Sequence, residues 1–220
     1  MTAEQIEQSI LVQLQSNGTT DKIQTNRGRI AVTYNRVQNQ VVEFLIDKSD
    51  DDNRYLQKIK QLSVKLLKAK KTESNIDSFI IPSDYFDFIN VEAFASKNEC
   101  INQRLNLTEI KGGNKNNLLT DEFSKPSFKY RESLYLLAKD SINFYKEDFS
   151  IDEVYMDYYR YPKQILLENS LSPESRFVEG ELEFDDKLTN RIITLTSAAL
   201  MLNGNDPKYQ ALKQEVLQKI

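Results

Sequence analysis

Residues 132–162, ESLYLLAKDSINFYKEDFSIDEVYMDYYRYP, decide the fold. With Arg131 they read as a β-meander over 131–161. ESLYLLA, INFY and EVYMDYYRY are runs of β-branched and aromatic residues. A turn at Lys139-Asp140-Ser141 and another near Glu147-Asp148 separate them. Pro162 ends the last strand without leaving an unpaired donor and sends the chain onward. That strand crowds Tyr155, Tyr158, Tyr159 and Tyr161 around Arg160. Strict alternation would bury Tyr158 with Val154 and Met156, and expose Tyr155, Tyr159 and Tyr161 with Asp157. Two readings follow. A sheet face covered by helices absorbs all four rings, or the rings form a protein–protein surface, where Tyr and Arg are enriched.

Upstream, SFIIPSDYFDFINVEAFA (78–95) reads as a short strand broken at Pro82, a turn at Ser83-Asp84 and a second strand. QRLNLTEIKGGNKNNLLTDEFSKPSF (103–128) holds one strand and a long Gly/Asn/Lys loop. With the meander this makes a small antiparallel sheet of about four to six strands. Helices lie on both sides of it. Residues 3–16 place Ile6, Ile10 and Leu14 at helical spacing, with Thr2 and Gln5 as a capping box and Gly18 as a stop. GTTDKIQTNRG follows as a polar linker, so residues 1–26 read as an arm and linker and 27–220 as one domain. Thr33 to Asp47 carries an apolar stripe of Tyr34, Val37, Val41, Phe44 and Leu45. Residues 54–70 read as a further helix, with Leu56, Ile59, Leu62, Leu66 and Leu67 on one face and Arg54, Lys58, Lys60, Lys65 and Lys68 opposite. That basic face is either solvated or in contact with phosphate or an acidic neighbour.

The end is helical again. RFVEGELEF (176–184) reads as an extended edge segment, and Asp185 or Asp186 caps a helix striped by Leu188, Ile192, Leu195, Ala199 and Leu202 up to Gly204. Asp206 and Pro207 open the last helix as N-cap and N1, with Tyr209, Leu212, Val216 and Ile220 on its apolar face. The expected fold class is α+β: N- and C-terminal helices (30–70 and 185–220) around a β-rich middle, 76–184.

The 220 residues contain no histidine and one cysteine, Cys100. Within this chain Ser-His-Asp and Cys-His catalysis are therefore excluded, as are zinc sites with His ligands and any intramolecular disulfide. A net charge of −4 argues against a dedicated nucleic-acid binder. No apolar run reaches the ~20 residues of a membrane span. MTAEQIEQSILVQLQ is acidic and amphipathic, unlike a secretory signal. A calcium loop counted from Asp50 fails, because Tyr55 and Gln61 stand where Gly and Glu are needed. KGGNKNN lacks the ending of a phosphate loop. Asp185 and Asp186 are better read as caps than as a catalytic pair, and Cys100 has no basic neighbour to activate it. The expectation is no enzyme, no cofactor and no metal.

The order of these parts resembles head–tail connector proteins (neck-ring or portal-adaptor subunits) of tailed bacteriophages, in particular short-tailed phages of the crAss-like group. The resemblance covers about residues 30–220. It rests on IIPSDYFDFINVEAF before the sheet, YYRYPKQI closing it, and ELEFDDKLTNRIITLTSAALML with its Ile192-Ile193 pair before DPKYQALKQEV. It implies a structural subunit of the virion neck, made in the bacterial cytoplasm. Copies would form a cyclic ring, by analogy a dodecamer, against the portal protein and adjacent neck or tail proteins. The ring would continue the DNA channel, in non-specific contact with packaged DNA and with no membrane partner. A capsid-associated or tail subunit, and a cytosolic adaptor or scaffold domain, are the alternatives. Tyr155, Tyr159, Arg160, Tyr161, Pro162, Leu182 and Phe184 are the expected interface residues. Lys58, Lys65 and Lys68 are the expected face for DNA or an acidic partner.

Overall fold

The computed structural model describes residues 1–16, 27–49, 59, 63–67, 70–73, 75–165, 183–202 and 206–218. The fold is α+β, with helices at both ends of the chain flanking a strand-rich region. It divides into two compact units: one built from Met1–Leu62 with Tyr161–Ile220, the other from Ser63–Arg160.

The first unit is helical among its described residues. Helix α1 (Ala3–Ser16) starts at the expected capping box. Thr2 N donates to Gln5 Oε1 at 2.8 Å and Gln5 N to Thr2 Oγ1 at 3.3 Å, satisfying two of the amides a helix start leaves open. Its Ile6, Ile10 and Leu14 are buried. Helix α2 (Arg27–Ser49) buries Tyr34, Val37, Val41 and Leu45. Downstream lie α4 (Asp186–Met201) and α5 (Pro207–Gln218). Helix α4 packs against α1, α2 and α5 and is buried around most of its circumference, as a central helix must be. Two of its buried hydroxyls bond back to the preceding turn, Thr196 Oγ1 to Ile192 O at 2.7 Å and Ser197 Oγ to Ile193 O at 3.0 Å. Asp185 is its N-cap, accepting from Leu188 N at 2.7 Å. Asp185→Ala should lower stability by about 0.5–2 kcal/mol, read as faster hydrogen exchange at the amides of α4.

The second unit is two packed sheets, where the sequence led to one. The first has the order β1 (Ser63–Leu67), β9 (Ser150–Arg160), β4 (Tyr85–Lys97), β5 (Cys100–Arg104). The second runs β2 (Lys70–Glu73), β3 (Ile76–Ile80), β8 (Ser141–Tyr145), β7 (Glu132–Leu137), β6 (Asn106–Glu109). All pairs are antiparallel except β6 with β7, which is parallel. Leu105, buried between β5 and β6, marks the step from one sheet to the other. The Gly/Asn/Lys loop carries its own helix, α3 (Lys115–Thr120). Leu118 and Leu119 of α3 pack on Ile110, Leu134 and Tyr145.

Between the sheets lies a core of Phe79, Ile81, Val91, Ala93, Ala95, Ile142, Phe144, Ile151, Val154, Met156 and Tyr158. Phe79 meets Phe144 edge-on at 5.6 Å. Three bulges fit the two longest strands to each other: Phe86 and Ile89 are extra on β4, and Asp152 is extra on β9. The Asp152 bulge lets Ile151 and Val154 face the same core three residues apart.

One charge sits inside this core. Asp77 on β3 is fully buried and lies 2.8 Å from Lys146 Nζ, itself only 8% exposed. Its second role is to accept the amide of Ile151 at 3.4 Å, so it links β3 to the start of β9 in the other sheet.

The expected basic helix at 54–70 is corrected. Ile59 is helical, but Ser63–Leu67 is strand β1, paired antiparallel with β9 from Ser63↔Tyr159 to Leu67↔Tyr155. β9 without β1 would have an open edge, and that pairing overrides the helical spacing of the leucines. Lys65 lies opposite Asp157 in the ladder, so it shares no helix face with Lys58 and Lys68, which fall outside the described residues.

Candidate assembly surface

Where β9 ends, the expected interface residues separate into different environments. Tyr158 faces the sheet–sheet core, 2% exposed, stacked obliquely on Tyr85 at 6.0 Å, with its hydroxyl donating to Asp84 Oδ1 at 3.1 Å. Burial, then the Asp84 carboxylate beside it, pushes its phenol up to about 12, against a smaller opposing pull from Arg160. The folded state therefore favours the protonated phenol. That contribution is complete below pH 10, the ordinary tyrosine value, and is lost as pH rises from about 10 through about 12. An ultraviolet titration should show Tyr158 ionising after the exposed tyrosines, and Tyr158→Phe should flatten the alkaline fall of stability. Tyr34 on α2 is also pushed up by burial.

Tyr159, expected to be exposed, is buried at 7%. The physical reason is that its face of β9, between Ser63 of β1 and Asp87 of β4, is covered and not wet. Tyr155, also expected outside, is half-buried. Its ring stands edge-on to Phe94 at 5.9 Å and its hydroxyl donates to Glu153 Oε2 at 3.0 Å. The Glu153 hydrogen bond and charge raise its phenol. Arg160 is half-buried opposite Tyr85. Tyr161 is exposed at 46%. Pro162 and Phe184 are buried, and Leu182 lies outside the described residues.

Past Pro162 the chain has no regular secondary structure and is held by two amides that sequence reading missed. Asn35 of α2 grips Ile165 on both sides, its Nδ2 donating to Ile165 O at 3.0 Å and its Oδ1 accepting Ile165 N at 2.9 Å. Gln38, one turn on, donates to Lys163 O at 3.4 Å, and Lys163 N donates to Glu183 Oε2 at 3.0 Å. The signal was there: Asn35 and Gln38 are polar positions on the buried side of an apolar stripe. A clamp of this kind holds Tyr161, which precedes it, on a fixed segment.

Among the described residues no three His, Cys, Asp or Glu side chains are grouped to hold a metal ion. No helix among them is long and apolar enough to cross a membrane. Cys100 is exposed. The chain matches no protein-family model and no curated protein.

Proposed function

We propose that this chain is a non-enzymatic structural subunit of a tailed-phage neck, forming a ring that joins portal to tail around the DNA channel. The observation that supports the reading is the order of construction. A helical unit is assembled from both ends of the chain, and the sequence between them, Ser63–Arg160, forms a β unit. That order carries the resemblance to connector proteins. Tyr161, exposed on a clamped segment, is the residue of the tyrosine run suited to a neighbour. A ring needs a heterologous contact, with one surface of each subunit meeting a different surface of the next.

Native mass spectrometry and electron microscopy of the chain, alone and with a tailed-phage portal protein from the same genome, test the reading. A closed ring seated on the portal, with twelve copies by analogy, is the expected result. A defined monomer or dimer without affinity for the portal would favour an adaptor or scaffold domain instead.

A further inference from the structure

The β unit carries an open cleft of about 570 Å³, lined by Asn90, Val91 and Glu92 of β4, Arg104, Leu105, Asn106 and Leu107 of β5 and β6, and Arg131. That volume is within the range of peptide and ligand sites. Two strand edges face it. β5 pairs with β4 only from Phe94 to Lys97, so among the described residues no strand pairs with that side of β4 from Asn90 to Ala93. Leu105 N donates to Ala93 O at 2.9 Å, so Ala93 turns its backbone groups away from β9. Val91, two residues back, must do the same. On the other wall Asn106 N donates to Arg131 O at 2.6 Å. Leu107 therefore directs its N–H and C=O to the outer side of β6, the edge strand of its sheet.

The side chains add a pattern. Val91 and Leu105 are buried and give an apolar floor, while Asn90, Asn106, Arg104 and Arg131 are exposed. Arg104 holds Glu92 at 2.9 Å. The Arg131 guanidinium has no hydrogen-bond or ion-pair partner among the described residues, and its backbone is left-handed at φ 56, a region non-glycine residues seldom adopt. With one carboxylate against two guanidiniums, the cleft is positive on a chain of net charge −4.

We infer that this cleft receives an extended acidic strand, residues 176–182 of a second copy, by strand addition between β4 and β6. RFVEGEL lies outside the described residues, and its sequence fits. In an extended chain Val178, Gly180 and Leu182 share one side, for the apolar floor, and Glu179 and Glu181 the other, for Arg104 and Arg131. A peptide strand suits the edges better than a phosphate backbone, because Val91 and Leu107 present carbonyls as well as amides, and carbonyls repel phosphate. The inference rests on the proposed self-assembly and names its receiving surface.

Disulfide trapping tests it with the full chain. In a Cys100→Ser background, one preparation carries Asn106→Cys and the other Glu181→Cys, and the two are mixed under mild oxidation. The expected result is a mixed disulfide dimer, formed about ten-fold faster than in a control pair with Asp152→Cys in place of Asn106→Cys, and slowed about as much by Arg131→Gln or by molar salt. A rate equal to the control overturns the inference. So does a doubly substituted chain that only closes on itself, or a rate indifferent to both Arg131→Gln and salt. The two readings fail separately. Rings that form normally with no trapping sink the cleft alone. Trapped dimers from a chain that never closes a ring on the portal sink the neck reading alone.

Discussion

Replacing Asp77 with alanine should destabilise the β unit by about 3–5 kcal/mol, the cost of leaving a buried charge without its counter-ion. The Lys146 side chain, 8% exposed, would be left without the carboxylate it is packed against. The amide of Ile151 would lose its acceptor at the same time. Because the chain has two units, one global transition is a poor readout. Hydrogen exchange is a better one: protection at the amides of β3 and β9 should fall by about two to four orders of magnitude while α4 keeps its own. The double replacement Asp77→Leu with Lys146→Met should return most of that protection, since an apolar pair of similar volume removes both charges. An alanine variant with unchanged exchange would mean that the ion pair contributes nothing to holding the sheets together.

The second large effect separates two adjacent tyrosines. Tyr159→Ala removes a buried ring and should cost about 3–5 kcal/mol, seen as lost near-ultraviolet dichroism and lower hydrogen-exchange protection in β9. Tyr161→Ala alters a residue 46% exposed and should stay within about 0.5 kcal/mol of the parent. If the neck reading holds, Tyr161→Ala is the variant that keeps its fold and loses the ring. A double variant would confuse the two, because unfolding through Tyr159 abolishes assembly for an uninteresting reason. Rings formed by Tyr161→Ala at parental concentration would remove that side chain from the interface.

The α+β class was legible in the sequence because local chemistry wrote it. The Thr2–Gln5 box, the Asp185 cap, the turn at Ser83-Asp84 and the three runs of the meander depend on neighbours a few residues away. What was not legible depended on partners far along the chain. Ser63–Leu67 has leucines at helical spacing and becomes a strand because β9 lies beside it. Two sheets replace one because the chain crosses at Leu105 and β6 pairs in parallel with β7, 26 residues on in the register of Asn106↔Glu132. Asp77 alternates into the core as an isolated carboxylate, and nothing around it in sequence announces Lys146. At the candidate surface, alternation placed Tyr158 correctly. It failed at Tyr159, since whether the second face of a strand is wet depends on what covers it.

The pairing of Ser63 with Tyr159 has a consequence at the level of the gene. The β unit begins and ends on adjacent strands, so its entry and exit points lie one ladder rung apart. A segment whose ends meet this way can be cut out, enlarged or exchanged by two recombination events without stretching the frame that receives it. Selection can then revise the inserted module while the helical unit keeps its own sequence and its caps.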